Sequence, residues 1–396
     1  FKPEYNKQKN YILEKPDKSD WSEVKAGGKT IEEFASGLDN QELAYICCGS
    51  NVDLTDMGSI IGAASTKVAG AAGETTRKLM ESHHLDSIVL CDGPAGVRVT
   101  PVYSYDGEKV RSKGMSFGEE MMEFLDEEDI EQMKKMMQVE TQSVMEKEQT
   151  YYQYCTAIPI GTDIAQSFNT DIATLYGDIV GEEMEMFGIQ LWLAPALNIM
   201  RSPLCGRNFE YYSEDPVLSG EIAAAITESV QKRKNCGVTI KHFACNNQET
   251  NRYGSNSIVS ERALREIYLK GFEICIKKAV PKAVMSSYNL INGEHSANSH
   301  DILNDVLRDE WRFDGIVMTD WFTSTDMMNI PEGKHKNASA AGCVKARNNL
   351  IMPGLATDLM DIKEALEDKK HPYPITRYDL MDAAIPVLYT ILENTK

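Results

Sequence analysis

Residues 237–243 read GVTIKHF. Small, apolar and β-branched residues build a short run of the length and composition of a buried strand. The run then ends on Lys241 and His242, two polar groups that are costly inside a core unless they are paired or open onto a site. The same grammar recurs along the chain. Strand-like runs stand at Ser87–Cys91 (SIVLC), Thr156–Ile160 (TAIPI), Leu191–Pro195 (LWLAP), Ala283–Tyr288 (AVMSSY), Gly315–Trp321 (GIVMTDW) and Asn349–Met352 (NLIM). From Leu191 onward they start every 32–46 residues with helical segments between them. That spacing predicts right-handed βα units and a parallel sheet. Seven strands are legible and an eighth is not. No glycine-rich phosphate turn follows the first strand, as an open dinucleotide-binding sheet would require. The expectation is therefore an α/β fold, a (β/α)8 TIM-like barrel with an irregular early strand.

The helices between the strands carry their own signals. Asp215-Pro216 supplies an N-cap and a first-turn proline. Ser260 caps the next helix, where Leu264, Ile267, Tyr268, Gly271 and Cys275 form a core-facing stripe. Asn337 is expected to start a further helix through Val344. Thr376-x-x-Asp379 opens the last one, which Pro386 should kink. Short amphipathic helices are expected near Ile31–Ala35 and Asn40–Ile46, and residues 49–75 read as loop. Residues 99–150 break the rhythm. Their acidic, Met-rich centre EEMMEFLDEEDIEQMKKMMQVE predicts a helical insertion over the barrel's C-terminal face. The expected organisation is an arm with short helices over 1–48, the barrel over 49–370, and a C-terminal helix over 371–396.

Asp and Glu outnumber Lys and Arg by 60 to 41, a formal charge of −19. That balance argues against nucleic acid or an anionic membrane as partner, since phosphate binding needs a basic face. No apolar run approaches the length of a membrane span. The nine cysteines are irregularly spaced and show no metal-ligand pattern, which fits reduced thiols in a cytoplasmic protein and no metal cofactor. The chain opens on Phe1, and further sequence is expected to precede it.

Polar residues gather where the strands stop. Asp92 begins DGPAGVR after the first strand. Asn198 and then Arg207 follow LWLAP, and Lys241-His242 end GVTIKHF. Tyr288-Asn289 end AVMSSY, and Asp320-Trp321 end the strand of GIVMTDWF. In a barrel these ends converge on one mouth. Each has a plainer reading. Asp92 before Gly-Pro suits a turn, Arg207 suits a surface pair with Glu210 or Glu214, and Trp321 suits the core. Five such ends together favour one polar site. A carboxylate, cations, an imidazole and aromatics suit a hydroxyl-rich substrate, with Asp320 as a nucleophile under an anomeric carbon. Lys241 as a Schiff-base nucleophile, as in aldolases of this fold, remains open at this point, with Asp320 as acid or base. So does a barrel that binds sugar without cleaving it.

The segments DGPAGVR (92–98), LAPALNIMRSPLCGRNFEYYSEDP (193–216), KHFACNNQETNR (241–252), SERALREIYLKGFE (260–273), AVMSSYNLINGEHSANS (283–299) and DGIVMTDW (314–321) together resemble glycoside hydrolase family 3, the β-glucosidase family. They fall in the family's order across about 230 residues. The resemblance implies a (β/α)8 barrel and a retaining mechanism with Asp320 as nucleophile. It implies that Asp92, Arg207, Lys241 and His242 hold the sugar, joined by Arg252, with Tyr288 and Trp321 beside the nucleophile. KHFACNNQET lacks the His-Asp dyad of the family's N-acetylglucosaminidase branch and favours a glucosidase. In most such β-glucosidases the general-acid glutamate comes from an α/β-sandwich domain. HKNASAAGCVKARNNLIMPG (335–354) resembles the barrel end of a subgroup that places this domain upstream. The expectation is a sandwich domain upstream or on a separate chain. Glu119–Glu120 and Glu127–Glu128 read as a solvated helix face rather than as that acid.

Overall fold

The computed structural model describes residues 11, 19–50, 65–113, 149–324 and 337–395. Its central sheet is built from β1 (Gly73–Glu74), β2 (Val89–Cys91), β6 (Leu191–Trp192), β7 (Gly237–Phe243), β9 (Ala283–Ser286) and β12 (Ile316–Met318), in that spatial order. The pairs from β2 to β12 are all parallel. Single bridges close the ring. Met318 pairs with Leu350, Ile351 with Cys48, and Gly49 with Thr75. Counting the segments at Cys48–Gly49 and Leu350–Ile351, the barrel has eight members.

The predicted barrel is thus present, and its irregular early member is β1, which runs antiparallel to β2. Two members were missed by the sequence reading, at residues 48–49 and 73–75. Both lie in or beside the Gly/Ala/Ser/Thr-rich stretch read as loop, and neither has an apolar run long enough to announce a strand. The predicted strand at Thr156–Ile160 does not form. That segment has no regular structure and is mostly exposed, and the Ile158 amide donates to Ala95 of the loop after β2 rather than to a ladder.

Alternation along the strands divides the core in two. Val238, Ile240, Val284 and Val317 face the outer helices Thr170–Phe187, Pro216–Val230 and Lys270–Ala279. Ala283, Met285, Ile316, Met318 and Leu350 join the other cluster, which includes the N-terminal helices Ile31–Gly37 and Asn40–Ile46 and the C-terminal helix Arg377–Asn394. Arg377 ties those ends together through Asn40 Oδ1 and the carbonyls of Ser36 and Leu38.

Helix starts were largely legible. Asp215, Ser260 and Thr376 all cap through their side chains. The cap expected at Asn337 falls instead on Ser339, whose hydroxyl accepts from the Gly342 amide. Helix Arg377–Asn394 runs on through Pro386. The expected stripe from Leu264 to Cys275 loses Ile267, which is 38% exposed. Residues Leu264–Tyr268 are wound as a π-turn, whose wider repeat shifts the phase of the face.

The flanks of the 99–150 insertion are strands, not helix. Here β3 (Val102–Tyr105) pairs antiparallel with β4 (Val110–Ser112) and β5 (Thr150–Tyr152). A further small sheet is formed by β8 (Asn256–Ser257), β10 (Leu290–Ile291) and β11 (Glu294–His295). Asp106 forms the turn by accepting from the Glu108 and Lys109 amides. The helix predicted over the acidic centre lies outside the described residues. Among the described residues no helix is long and apolar enough to cross a membrane. All nine cysteines are free thiols.

Candidate active site

Asp92 follows β2 directly. A glycine is required after it. Gly93 has φ +128°, and a Cβ there would sit 1.8 Å from the Gly96 carbonyl. The tight turn returns the chain so that Arg98 N donates to Asp92 O at 2.9 Å, and Trp192 Nε1 donates to the Gly93 carbonyl at 2.9 Å. The carboxylate is shared between two cations. Lys241 Nζ donates to Oδ1 at 2.8 Å, and an Arg98 Nη2 donates to Oδ2 at 2.6 Å. Burial would raise the Asp92 carboxyl, but Lys241 and Arg98 hold it well below the usual carboxylate range. Asp92 is therefore more than a turn former.

Strict alternation would send Lys241 and His242 to opposite faces of β7. The ladder to β9 slips there, with Lys241 opposite Met285 and Phe243 opposite Ser286. Asn198 grips the irregularity by accepting from His242 N and donating to His242 O, each at 2.8 Å. Those two bonds fix the Asn198 amide, so its Oδ1, 3.2 Å from His242 Nδ1, accepts the ring proton. His242 Nε2 is left as an acceptor. It lies 3.6 Å from Asp320 Oδ2. This is not an ion pair. Burial drives the imidazole well below its ordinary value, and Arg207, Lys241 and Arg252 drive it the same way. The folded protein keeps His242 neutral while an unfolded chain protonates it below about pH 6.5. Stability should therefore be full above that pH and fall below it by up to about 1.4 kcal/mol per pH unit from this group. Urea melts at pH 7, 6 and 5 should show a shallower acid slope for His242→Gln than for wild type. Equal slopes would refute the assignment.

Asp320 follows β12 by two residues, with its side chain 12% exposed. Its Oδ1 accepts from Trp321 N at 2.8 Å, and its own carbonyl accepts from the Thr323 hydroxyl at 2.8 Å. Arg207 and Arg252 both feel its charge, as does Tyr288. The Tyr288 hydroxyl donates to the Trp321 carbonyl at 2.8 Å. Trp321 is half-buried against the core, and its Nε1 donates to the Ala72 carbonyl at 3.1 Å. It is both core and wall. Arg252 lies over the Tyr288 ring, 4.3 Å from its centroid, and pairs with Glu249 at 3.1 Å. Tyr253 stands 4.5 Å from the same ring.

Asp92, Arg207, Lys241, His242, Arg252, Tyr288, Asp320 and Trp321 thus meet at one end of the barrel. Glu210, Glu249, Tyr253, Asn198 and Arg98 complete the network and were not singled out as site residues. Their signal was local: Glu210 and Glu249 each stand three residues from a site arginine. The plainer reading of Arg207, a surface pair with Glu210 or Glu214, holds in its partner but not in its place: Arg207 pairs with Glu210, which is only 3% exposed. Glu119–Glu120 and Glu127–Glu128 lie outside the described residues.

A barrel with this polar mouth has counterparts among known proteins. The model of the glycosyl hydrolase family 3 N-terminal domain matches residues 74–376, and the chain belongs to that family. It is 38% identical over 294 residues to beta-glucosidase A of Butyrivibrio fibrisolvens, covering 74% of this chain and 28% of that protein. It is 49% identical over 203 residues to an exo-alpha-(1->6)-L-arabinopyranosidase of Bifidobacterium longum, covering 51% and 25%. The beta-glucosidase 3B structure from Thermotoga neapolitana in complex with glucose aligns with a TM-score of 0.69 at 35% identity. That alignment covers 92% of this chain and 43% of the other. The chain spans 28% and 25% of the length of these two curated relatives.

Proposed function

We propose that this chain is the nucleophile-bearing barrel of a retaining β-glucosidase. The observation that carries the reading is the setting of Asp320. One oxygen is held by the Trp321 amide, and the other faces His242 with Arg207 and Arg252 nearby. In the proposed first step that free oxygen attacks the anomeric carbon as the glycosidic C–O bond breaks, giving a covalent glycosyl-enzyme. A general acid gives the leaving oxygen its proton, then as base takes a proton from the water that releases the sugar. We assign that role to a glutamate of an α/β-sandwich domain, upstream or on a separate chain. Asp92, Lys241 and Arg207 offer charged partners to sugar hydroxyls, and His242 Nε2 offers an acceptor. Trp321 supplies an apolar wall for the ring.

The substrate is a terminal β-linked glucoside, and the arabinopyranosidase relative places α-L-arabinopyranosides on the same test panel. The Schiff-base alternative is disfavoured by Lys241 itself, which is ion-paired with Asp92 at 2.8 Å rather than presented as a free amine. Nine free thiols, eight of them buried, support a reducing, cytoplasmic setting. Incubation with 2-deoxy-2-fluoro-β-glucosyl fluoride and peptide mapping should place one fluoroglucosyl adduct on Asp320. The fluoride needs little acid assistance, so the test does not depend on where the general acid resides. A label on another residue, or none, defeats the reading. A lysine trapped by borohydride with a carbonyl substrate would favour the aldolase alternative.

A further inference from the structure

We propose that Glu210 is a positioning residue, whose buried carboxylate joins Arg207 to Lys241 and holds two cations from different strand ends against one sugar site. The proposal rests on the glycosidase reading above. Glu210 ends the short 3-10 turn Asn208–Glu210, and its side chain is 2% exposed. Oε1 accepts from Arg207 Nε. Oε2 lies 4.0 Å from Lys241 Nζ and has no hydrogen-bond donor among the described residues.

A carboxylate this deep is costly unless cations face it. A surface ion pair at this spacing would be worth little and would need no burial. Here burial joins Glu210 to a row of alternating charge: Arg98, Asp92, Lys241, Glu210, Arg207. Arg207 comes from the loop after β6, and Lys241 comes from β7. Each has a long side chain with many rotamers, and their like charges repel. Among the described residues, Glu210 is the carboxylate within ion-pair distance of both.

The backbone fixes where that carboxylate points. The Thr162 hydroxyl donates to the carbonyls of Asn208 and Tyr211, on either side of it. Gly161 packs so closely on the turn that a Cβ there would meet the Glu210 carbonyl at 2.7 Å. The anion is therefore set by a rigid turn, and the cations arrange around it. The burial of Arg207 would lower its proton affinity, but Glu210, Tyr211 and Asp320 raise it above the usual value.

The test uses the whole protein and 2-deoxy-2-fluoro-β-glucosyl fluoride. Glu210→Gln keeps the shape and removes the charge. The glycosylation rate constant should fall about 100-fold, with the inactivator's binding constant changed less than about fivefold, because misplacement by an ångström acts mainly on reaction geometry. Rates are taken per folded chain from far-UV CD melts. In an Arg207→Gln background the same Glu210→Gln change should alter the rate less than about threefold, since residues acting as one unit are not additive. A merely structural glutamate would cost the same in both backgrounds, and that result overturns the proposal. So does a single variant labelled within about threefold of the wild-type rate. A wild type not labelled at Asp320 defeats the glycosidase reading itself, and the proposal with it, before any variant is made.

Discussion

Asp320→Asn is expected to lose at least about 10⁴-fold in kcat/KM on aryl β-glucosides, about 5 kcal/mol of transition-state stabilisation. The fold should be untouched. The Trp321 amide can still donate to the Asn carbonyl oxygen, replacing its bond to Oδ1. The new amide NH₂ would face His242 Nε2, which has no hydrogen-bond partner among the described residues. The melting temperature should therefore match the wild type or exceed it, because the buried charge is gone. The loss is chemical. An amide does not displace a leaving group to form the glycosyl-enzyme. A companion variant, Asp320→Gly, opens room where the carboxylate stood. Added azide should restore turnover of dinitrophenyl β-glucoside and yield the α-glycosyl azide, since the small anion attacks from the nucleophile's side. Activity of Asp320→Asn within tenfold of wild type would sink the assignment, and a β-configured azide product would sink the retaining geometry.

The strand ends were legible because burying a charge without a partner is expensive. An apolar run that stops on Lys241-His242 or on Asp320 calls for an explanation in one dimension, and the barrel supplies it in three. The second layer was harder to read. Glu210 stands three residues after Arg207, a spacing that ordinary surface pairs share, and only its burial in the fold shows it to be internal. Asn198 is similar: nothing in its neighbours says that it braces the backbone of His242. The fold failed to announce itself where pairing rests on one or two residues. Cys48 and Gly49 each bridge a different neighbour, and β1 has only two residues. Such segments carry no periodicity. The opposite error came at Thr156–Ile160, where composition suggested a strand but the segment joins no ladder and its Ile158 amide is taken by the Ala95 carbonyl.

Lys241→Met is the second large effect, a fall of about 10³ in kcat/KM, or about 4 kcal/mol. The ammonium sits between Asp92 at 2.8 Å and Glu210 at 4.0 Å, with 4% of its side chain exposed. Methionine fills the volume but leaves two carboxylates facing each other. Asp92 retains Arg98, whose side chain is 38% exposed and so partly screened, and Glu210 retains Arg207. The single variant should lose stability, up to about 3 kcal/mol by urea melt, because one partner of a buried pair has been removed. Adding Asp92→Asn should recover much of that stability, since one of the two facing carboxylates then carries no charge. Activity should not recover, because in the proposed reading both groups touch the sugar. This split separates a binding pair from a structural one. If the double variant regained stability and activity together, Lys241 and Asp92 would be a framework ion pair near the site, and the sugar contacts would have to be reassigned to Arg207, His242 and Arg252.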